Sequence, residues 1–156
     1  MVTQILCAID DAPHSETAAE FAIDLAMQLS AKLVFHMANP AVLPSPRGAP
    51  VYLWSDDYVR SYLDEAFRRA RRAGVNGVTC ETQRASQVAK MIVARADLHR
   101  ADFIVVGASG QARIVDLFRR PVSRLVADMA HCPVLVVKHV RHLWRRQETS
   151  VYQEAA

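Results

Sequence analysis

Five short apolar runs, each separated from the next by an amphipathic stretch, constrain this chain more than any other feature. They are Gln4 to Ile9, Lys32 to Met37, Val78 to Thr82, Phe103 to Val106 and Val134 to Val137. The first, fourth and fifth are unbroken: Ile5-Leu6-Cys7-Ala8-Ile9, Phe103-Ile104-Val105-Val106 and Val134-Leu135-Val136-Val137. A strand with one wet face alternates apolar and polar residues, so an unbroken run is expected where helices cover both faces of the sheet.

The segments between the runs have helical period. Ala18, Ala22, Leu25 and Leu29 form one stripe, flanked by Ala19, Ile23 and Ala26. Ser15 stands where an N-cap is expected, and Glu16 suits the positive end of a helix dipole. A second helix is expected to bury Val59, Leu63, Ala66, Phe67 and Ala70 and to close at Gly74. A third carries Ala85, Ala89, Ile92, Val93 and Ala96, and a fourth starts at Pro121 and carries Val122, Leu125, Val126 and Met129. Strands alternating with helices give a parallel sheet with helices on both sides, an α/β three-layer sandwich. Pro40 to Pro50, with Pro44, Pro46 and Gly48, reads as a long loop before the second helix.

Composition narrows the class further. At 156 residues the chain fits one domain, and folding buries roughly 68–70% of its surface without metal or disulfide staples. A content of 51% hydrophobic and 22% charged residues is that of an ordinary globular protein. No apolar run approaches the ~20 residues that span a bilayer. Met1 to Asp11 has no basic start and does not read as a signal peptide. Cys7, Cys80 and Cys132 are odd in number and widely spaced, which argues against a disulfide framework, so the expected compartment is the cytoplasm. The net charge of +3 comes from basic groups in three separate places, Arg68 to Arg72, Arg113 to Arg124 and Lys138 to Arg146. Charge alone therefore gives no expectation of specific nucleic-acid binding.

Ligands of open parallel sheets collect at the carboxyl ends of strands, where the strand order reverses. Asp10 and Asp11 follow the first run, and Gly107-Ala108-Ser109-Gly110 ends the fourth. Glycines there let backbone amides approach an anion, although a tight turn alone also demands them.

Asp10, the Gly107/Gly110 turn, the helix near Pro121 and His131-Cys132-Pro133-Val134-Leu135-Val136-Val137 form one ordered pattern. From Gln4 to Lys138 it resembles the universal stress protein family, as do Phe35-His36-Met37 and Ala101-Asp102-Phe103-Ile104-Val105-Val106-Gly107. The resemblance implies an adenine-nucleotide alpha-hydrolase-like fold over residues 1–138. Its sheet would have five parallel strands in order 3-2-1-4-5, with a homodimer through the fifth strand, Val134 to Val137. Residues 139–156 would form a basic C-terminal tail.

Family members that bind ATP carry Gly-x2-Gly-x9-Gly followed by Ser or Thr. Gly107 and Gly110 match the first half, but Arg120-Pro121 replace the small pair. Arg120 brings a bulky side chain, and Pro121 has neither a hydroxyl nor an amide hydrogen, so the phosphate cradle loses at least two donors. Arg113, Arg119 or Arg120 could supply a guanidinium instead, and Ser109 or Ser123 a hydroxyl. The resemblance places Asp10 near the nucleotide sugar and the Met37 backbone against adenine, while Asp11-Ala12 replace the usual Gly-Ser.

The expected function is thus a stress-response regulatory or binding domain without tight ATP binding. A sensor of ATP or another adenine nucleotide is the alternative, with slow ATP hydrolysis last. No catalytic residue and no metal ligand is expected. Gly107-Ala108-Ser109-Gly110 lacks the second glycine of a nucleophile elbow, because Gln111 stands there. The six histidines show no zinc-site spacing, and no Walker lysine follows the glycines. His131 and Cys132, adjacent in an extended segment, point to opposite faces, and His36 reads as a core histidine. Asp64 and Glu65 sit four residues before Arg68 and Arg69, so that basic run reads as a solvated helix face. The tail, with Leu143 and Trp144 among cations, reads as a short helix folded onto the domain or dimer, with a protein partner as the alternative.

Overall fold

The computed structural model describes residues 1–43, 48–108 and 120–139. In chain order the elements are β1 (Gln4–Ala8), α1 (Pro13–Leu29), β2 (Lys32–Leu43), β3 (Val51–Tyr52), α2 (Asp56–Ala73), β4 (Val78–Ala85), α3 (Val88–Leu98), β5 (Phe103–Ala108), α4 (Val122–Met129) and β6 (Val134–Lys138). The parallel strands run β4-β2-β1-β5-β6 across the sheet. With the two-residue β3 left out of the numbering, that is the order 3-2-1-4-5.

The unbroken runs are explained by two cores, one on each face of the sheet. Ile5 and Cys7 of β1 pack with Leu33, Phe35, Ala22 and Leu63 on the side of α1 and α2. Leu6 and Ala8 turn the other way, to Val34, Ile92, Ile104 and Val126 on the side of α3 and α4. Phe35, Ile5 and Leu6 are fully buried, and each such side chain contributes about 1.5–3 kcal/mol.

Several local readings shift. Pro13 opens α1 behind the N-cap Ala12, so Ser15 lies in the first turn, where its hydroxyl accepts from the Asp10 amide at 2.7 Å. Proline suits a first turn because its missing N–H has no partner there anyway. In α2 the Ser55 side chain caps the Tyr58 amide, and Gly74 closes the helix at φ 100°. Phe67, expected in the core, is 40% exposed, because the apolar stripe that reaches the sheet is Val59, Leu63, Ala66 and Ala70. Ala85 ends β4 and lies outside α3, and Pro121 is the N-cap of α4 rather than its first residue.

The expected loop from Pro40 is partly strand. β2 continues to Leu43 and folds back on β3 through the antiparallel pairs Ala41–Tyr52 and Leu43–Val51. Pro40 is tolerated because a strand proline loses only its donor; its carbonyl still accepts from the Leu53 amide at 2.9 Å. Pro44 and Pro46 of that expected loop lie outside the described residues, as does the tail from residue 140 onward.

Candidate functional site

β1 sits between β2 and β5, so the strand order reverses at its carboxyl end. A cavity of about 480 Å³ opens there, within the range of ligand sites. Its centre is the end of β1 and the start of α1: Ile9, Asp10, Asp11, His14 and Ser15. On the β2 side the wall is His36, Ala38, Pro40, Leu53 and Trp54; on the β5 side it is Val106, Gly107, Val122 and Ser123. Val88 and Ile92 of α3 complete it.

Asp10 is fixed by its own loop. Its amide donates to Ser15, its Oδ1 accepts from the Ala12 amide at 2.9 Å, and its Oδ2 lies 3.9 Å from His14 Nε2. This Asx-type turn leaves a carboxylate on the cavity wall. Asp11 is turned toward the β2 side, accepting from Trp54 Nε1 at 3.1 Å and from the Tyr58 hydroxyl at 3.2 Å. Partial desolvation and the Asp11 carboxylate beside its hydroxyl raise the Tyr58 pKa. Burial and the carboxylates of Glu16, Asp10 and Asp11 push Tyr62 up to about 12.

Beneath the cavity lies a charged cluster that sequence reasoning did not anticipate. Glu81 of β4 accepts two hydrogen bonds from the Arg95 guanidinium and lies 3.0 Å from His99 Nε2, both on the α3 side. Burial alone would raise the Glu81 pKa, but the hydrogen bonds from Arg95 and His99 overcome it and hold it at about 2. His36 is fully buried with Nδ1 3.3 Å from Glu81 Oε1, yet among the described residues neither ring nitrogen has a partner in hydrogen-bonding geometry. Burial, opposed by Glu81, lowers the His36 pKa to about 4, so the ring on the cavity wall is neutral at pH 7.

Of the candidate residues named from sequence, Asp10, Gly107 and Ser123 line this one cavity. Met37 does not: its side chain is fully buried in the core against α1 and α2, and its carbonyl accepts from the Thr82 hydroxyl at 2.7 Å. Its neighbours His36 and Ala38 line the wall instead. Arg120 is exposed and points its guanidinium at Asp128, 3.6 Å away, rather than into the cavity. Pro121 caps α4 without any side-chain hydrogen bond. Ser109 and Gly110, like Arg113 and Arg119, lie outside the described residues.

Gly107 has a packing reason of its own. A Cβ there would lie 2.5 Å from the carbonyl oxygen of His14, so the start of α1 can approach β5 only over a glycine. Leu53, Trp54 and His14 were missed because none belongs to a chemical motif; the only local signal near Trp54 was the Ser55 cap behind it. Among the described residues no group of three or more His, Cys, Asp or Glu side chains is placed to hold a metal ion. None of the described helices is long and apolar enough to cross a membrane.

Comparison with known proteins agrees with this geometry. The model of the universal stress protein family matches residues 1–138. A universal stress protein encoded 3′ of a QAH/OAS sulfhydrylase in Thermus aquaticus is 32% identical, over 88% of this chain and all of that protein. The structure of a universal stress protein in complex with cAMP superposes with a TM-score of 0.70 at 23% identity, covering 90% of this chain and 99% of that one. That of a universal stress protein from Archaeoglobus fulgidus in complex with dAMP gives a TM-score of 0.64 at 21% identity, covering 88% and 100%.

Proposed function

The chain belongs to the universal stress protein family, and from that premise we propose a non-catalytic stress-response binding module that takes an adenine nucleoside monophosphate in preference to ATP. The cavity supports such a ligand in three parts. Ala38 and Leu53 on the β2 side, with Ile92 of α3, give an apolar surface for a base. Asp10, at the central strand, offers a carboxylate to sugar hydroxyls. Ser123 and the start of α4 offer a hydroxyl and a helix N-terminus to phosphate. Both nucleotides carried by the structures compared above, cAMP and dAMP, have one phosphate.

The observation that carries this reading is the pair Arg120-Pro121. Pro121 has no N–H to give, and Arg120 is turned to Asp128 on α4. One phosphate can be met by Ser123 and the helix end, whereas a triphosphate needs the donors that this pair removes. Calorimetric titration of the full chain with AMP, cAMP and Mg-ATP tests it. AMP or cAMP should bind more tightly than ATP; ATP as the tightest of the three would overturn the preference.

The same reading includes a cytoplasmic homodimer through β6, without specific nucleic-acid binding. Among the described residues β6 is a sheet edge, paired only with β5, and Val136 is 43% exposed on it. An unpaired apolar edge is a ready template for a second copy. The three cysteines are unbridged, as in a reducing compartment. The basic tail, residues 139–156, remains the candidate contact for a protein partner. Light scattering that returns a monomer at micromolar concentration would refute the dimer.

A further inference from the structure

Trp54 is held more firmly than a rim residue needs to be. The side chain of Asn39, only 2% exposed, bonds its backbone in both directions: Nδ2 donates to the Trp54 carbonyl at 2.8 Å, and the Trp54 amide donates to Oδ1 at 3.1 Å. The preceding Leu53 amide is tied to Pro40 of β2 at 2.9 Å. The indole N–H is then satisfied by Asp11, the residue that stands where the family resemblance expects glycine. The sole polar atom of the ring is thereby occupied, and what the ring has left to offer a ligand is its aromatic surface.

Strand order fixes which part of a ligand lies here. Trp54 and Leu53 stand on the β2 side of the cavity, Gly107 and Ser123 on the β5 side, with Asp10 between them at the end of β1. A nucleotide with its phosphate at Ser123 and its sugar at Asp10 therefore brings its base to Trp54. We propose that Trp54 is the stacking wall for the base, and that Asp11 is a positioning residue acting through the indole N–H. This deepens the nucleotide reading and rests on it. Every base has a π face, so such a wall selects a planar aromatic ring while leaving the choice among bases to other contacts.

The chain has two tryptophans, so a Trp144→Phe background isolates the Trp54 emission. AMP should then quench that emission over the concentration range in which calorimetry sees binding. Trp54→Leu should weaken AMP and adenosine by the same factor, about tenfold, because stacking acts on the base and not on the phosphate. Trp54→Phe keeps a ring and should retain most of the affinity. Asp11→Ala should shift the Trp54 emission maximum and weaken AMP several-fold, with the circular dichroism spectrum unchanged. If AMP binds while the emission stays constant, or if Trp54→Leu binds as the parent does, the stacking wall is wrong and the nucleotide reading stands. If neither AMP nor adenosine binds the parent chain, both are wrong.

Discussion

The carbonyl oxygen of His14 lies where a Cβ on residue 107 would have to be, 2.5 Å from that ideal position. The obstacle is backbone, so no rotamer change relieves it. Gly107→Ala should destabilise the fold by about 1–3 kcal/mol, as at other overpacked sites, read as a lower urea midpoint at constant m-value. His14→Ala should not rescue it, because the blocking atom is main chain. A Gly107→Ala protein as stable as the parent would show that α1 can retreat from β5.

Nucleotide preference should respond to the pair before α4. Restoring small residues with Arg120→Gly and Pro121→Ser returns an amide hydrogen and a hydroxyl. ATP affinity should rise about tenfold, close to 1.4 kcal/mol, the size of one hydrogen bond to a charged group. AMP affinity should change much less. Calorimetry on the double variant checks both, and an unchanged ATP affinity would mean that the lost donors do not limit binding.

Acid stability should be governed by the cluster under the cavity. His36 is lowered from the usual 6.5 to about 4, so between those values the unfolded chain takes up a proton that the native state refuses. The stability it contributes is fully present above pH 6.5 and is lost as the pH falls toward 4. Glu81, held at about 2 against an ordinary 4.5, adds a second loss below pH 4.5. Melting temperature should therefore fall in two overlapping stages on acidification, and His36→Asn should remove the upper one. NMR should find the His36 ring shifts flat from pH 8 to 5; a midpoint near 6.5 would contradict its buried, neutral state.

Arg95 should matter through Glu81. Arg95→Met removes two hydrogen bonds from a carboxylate whose side chain is only 14% exposed. A loss of about 1.5–3 kcal/mol is expected, the range for hydrogen bonds to charged groups. Adding Glu81→Gln should return part of it, because the stranded charge is then gone. Chemical denaturation of the two variants provides the comparison, and strict additivity would sink the claim of coupling.

Asn39 should control the Trp54 wall from inside. Asn39→Ala deletes both bonds to the Trp54 backbone. Stability should drop by about 1–3 kcal/mol, as when buried backbone groups lose their partners. AMP affinity should drop with it. Denaturation and calorimetry on the same sample separate the two effects, and unaltered values in both would mean that the β3 turn holds Trp54 without Asn39.

Much of the fold was legible because it is written locally. Unbroken runs such as Ile5 to Ile9 mark strands covered on both faces, and the stripe Val59, Leu63, Ala66, Ala70 marks the helix that covers one of them. Asp10 and Gly107, which line the cavity, were legible for the same reason, since each directly follows or ends such a run. β3 was not, since a two-residue strand has no period to detect. Phe67 was misplaced because a helical stripe read from sequence has no sharp edge; only the packing of α2 on the sheet decides which flank stays wet.

What the sequence determined alone was the sandwich, the place of the cavity at the strand ends and the absence of a small Gly-Ser pair at Arg120-Pro121, because these depend on periodicity and residue type. Tertiary structure decided the pairings. Asp11 meets Trp54 across 43 positions, His36 meets the Glu81 carboxylate that Arg95 holds, across three elements, and Arg120 turns to Asp128 instead of the cavity. Such meetings follow from strand register and from how far each helix slides along the sheet. Those quantities are set by packing of the whole core at once, and no local pattern encodes them.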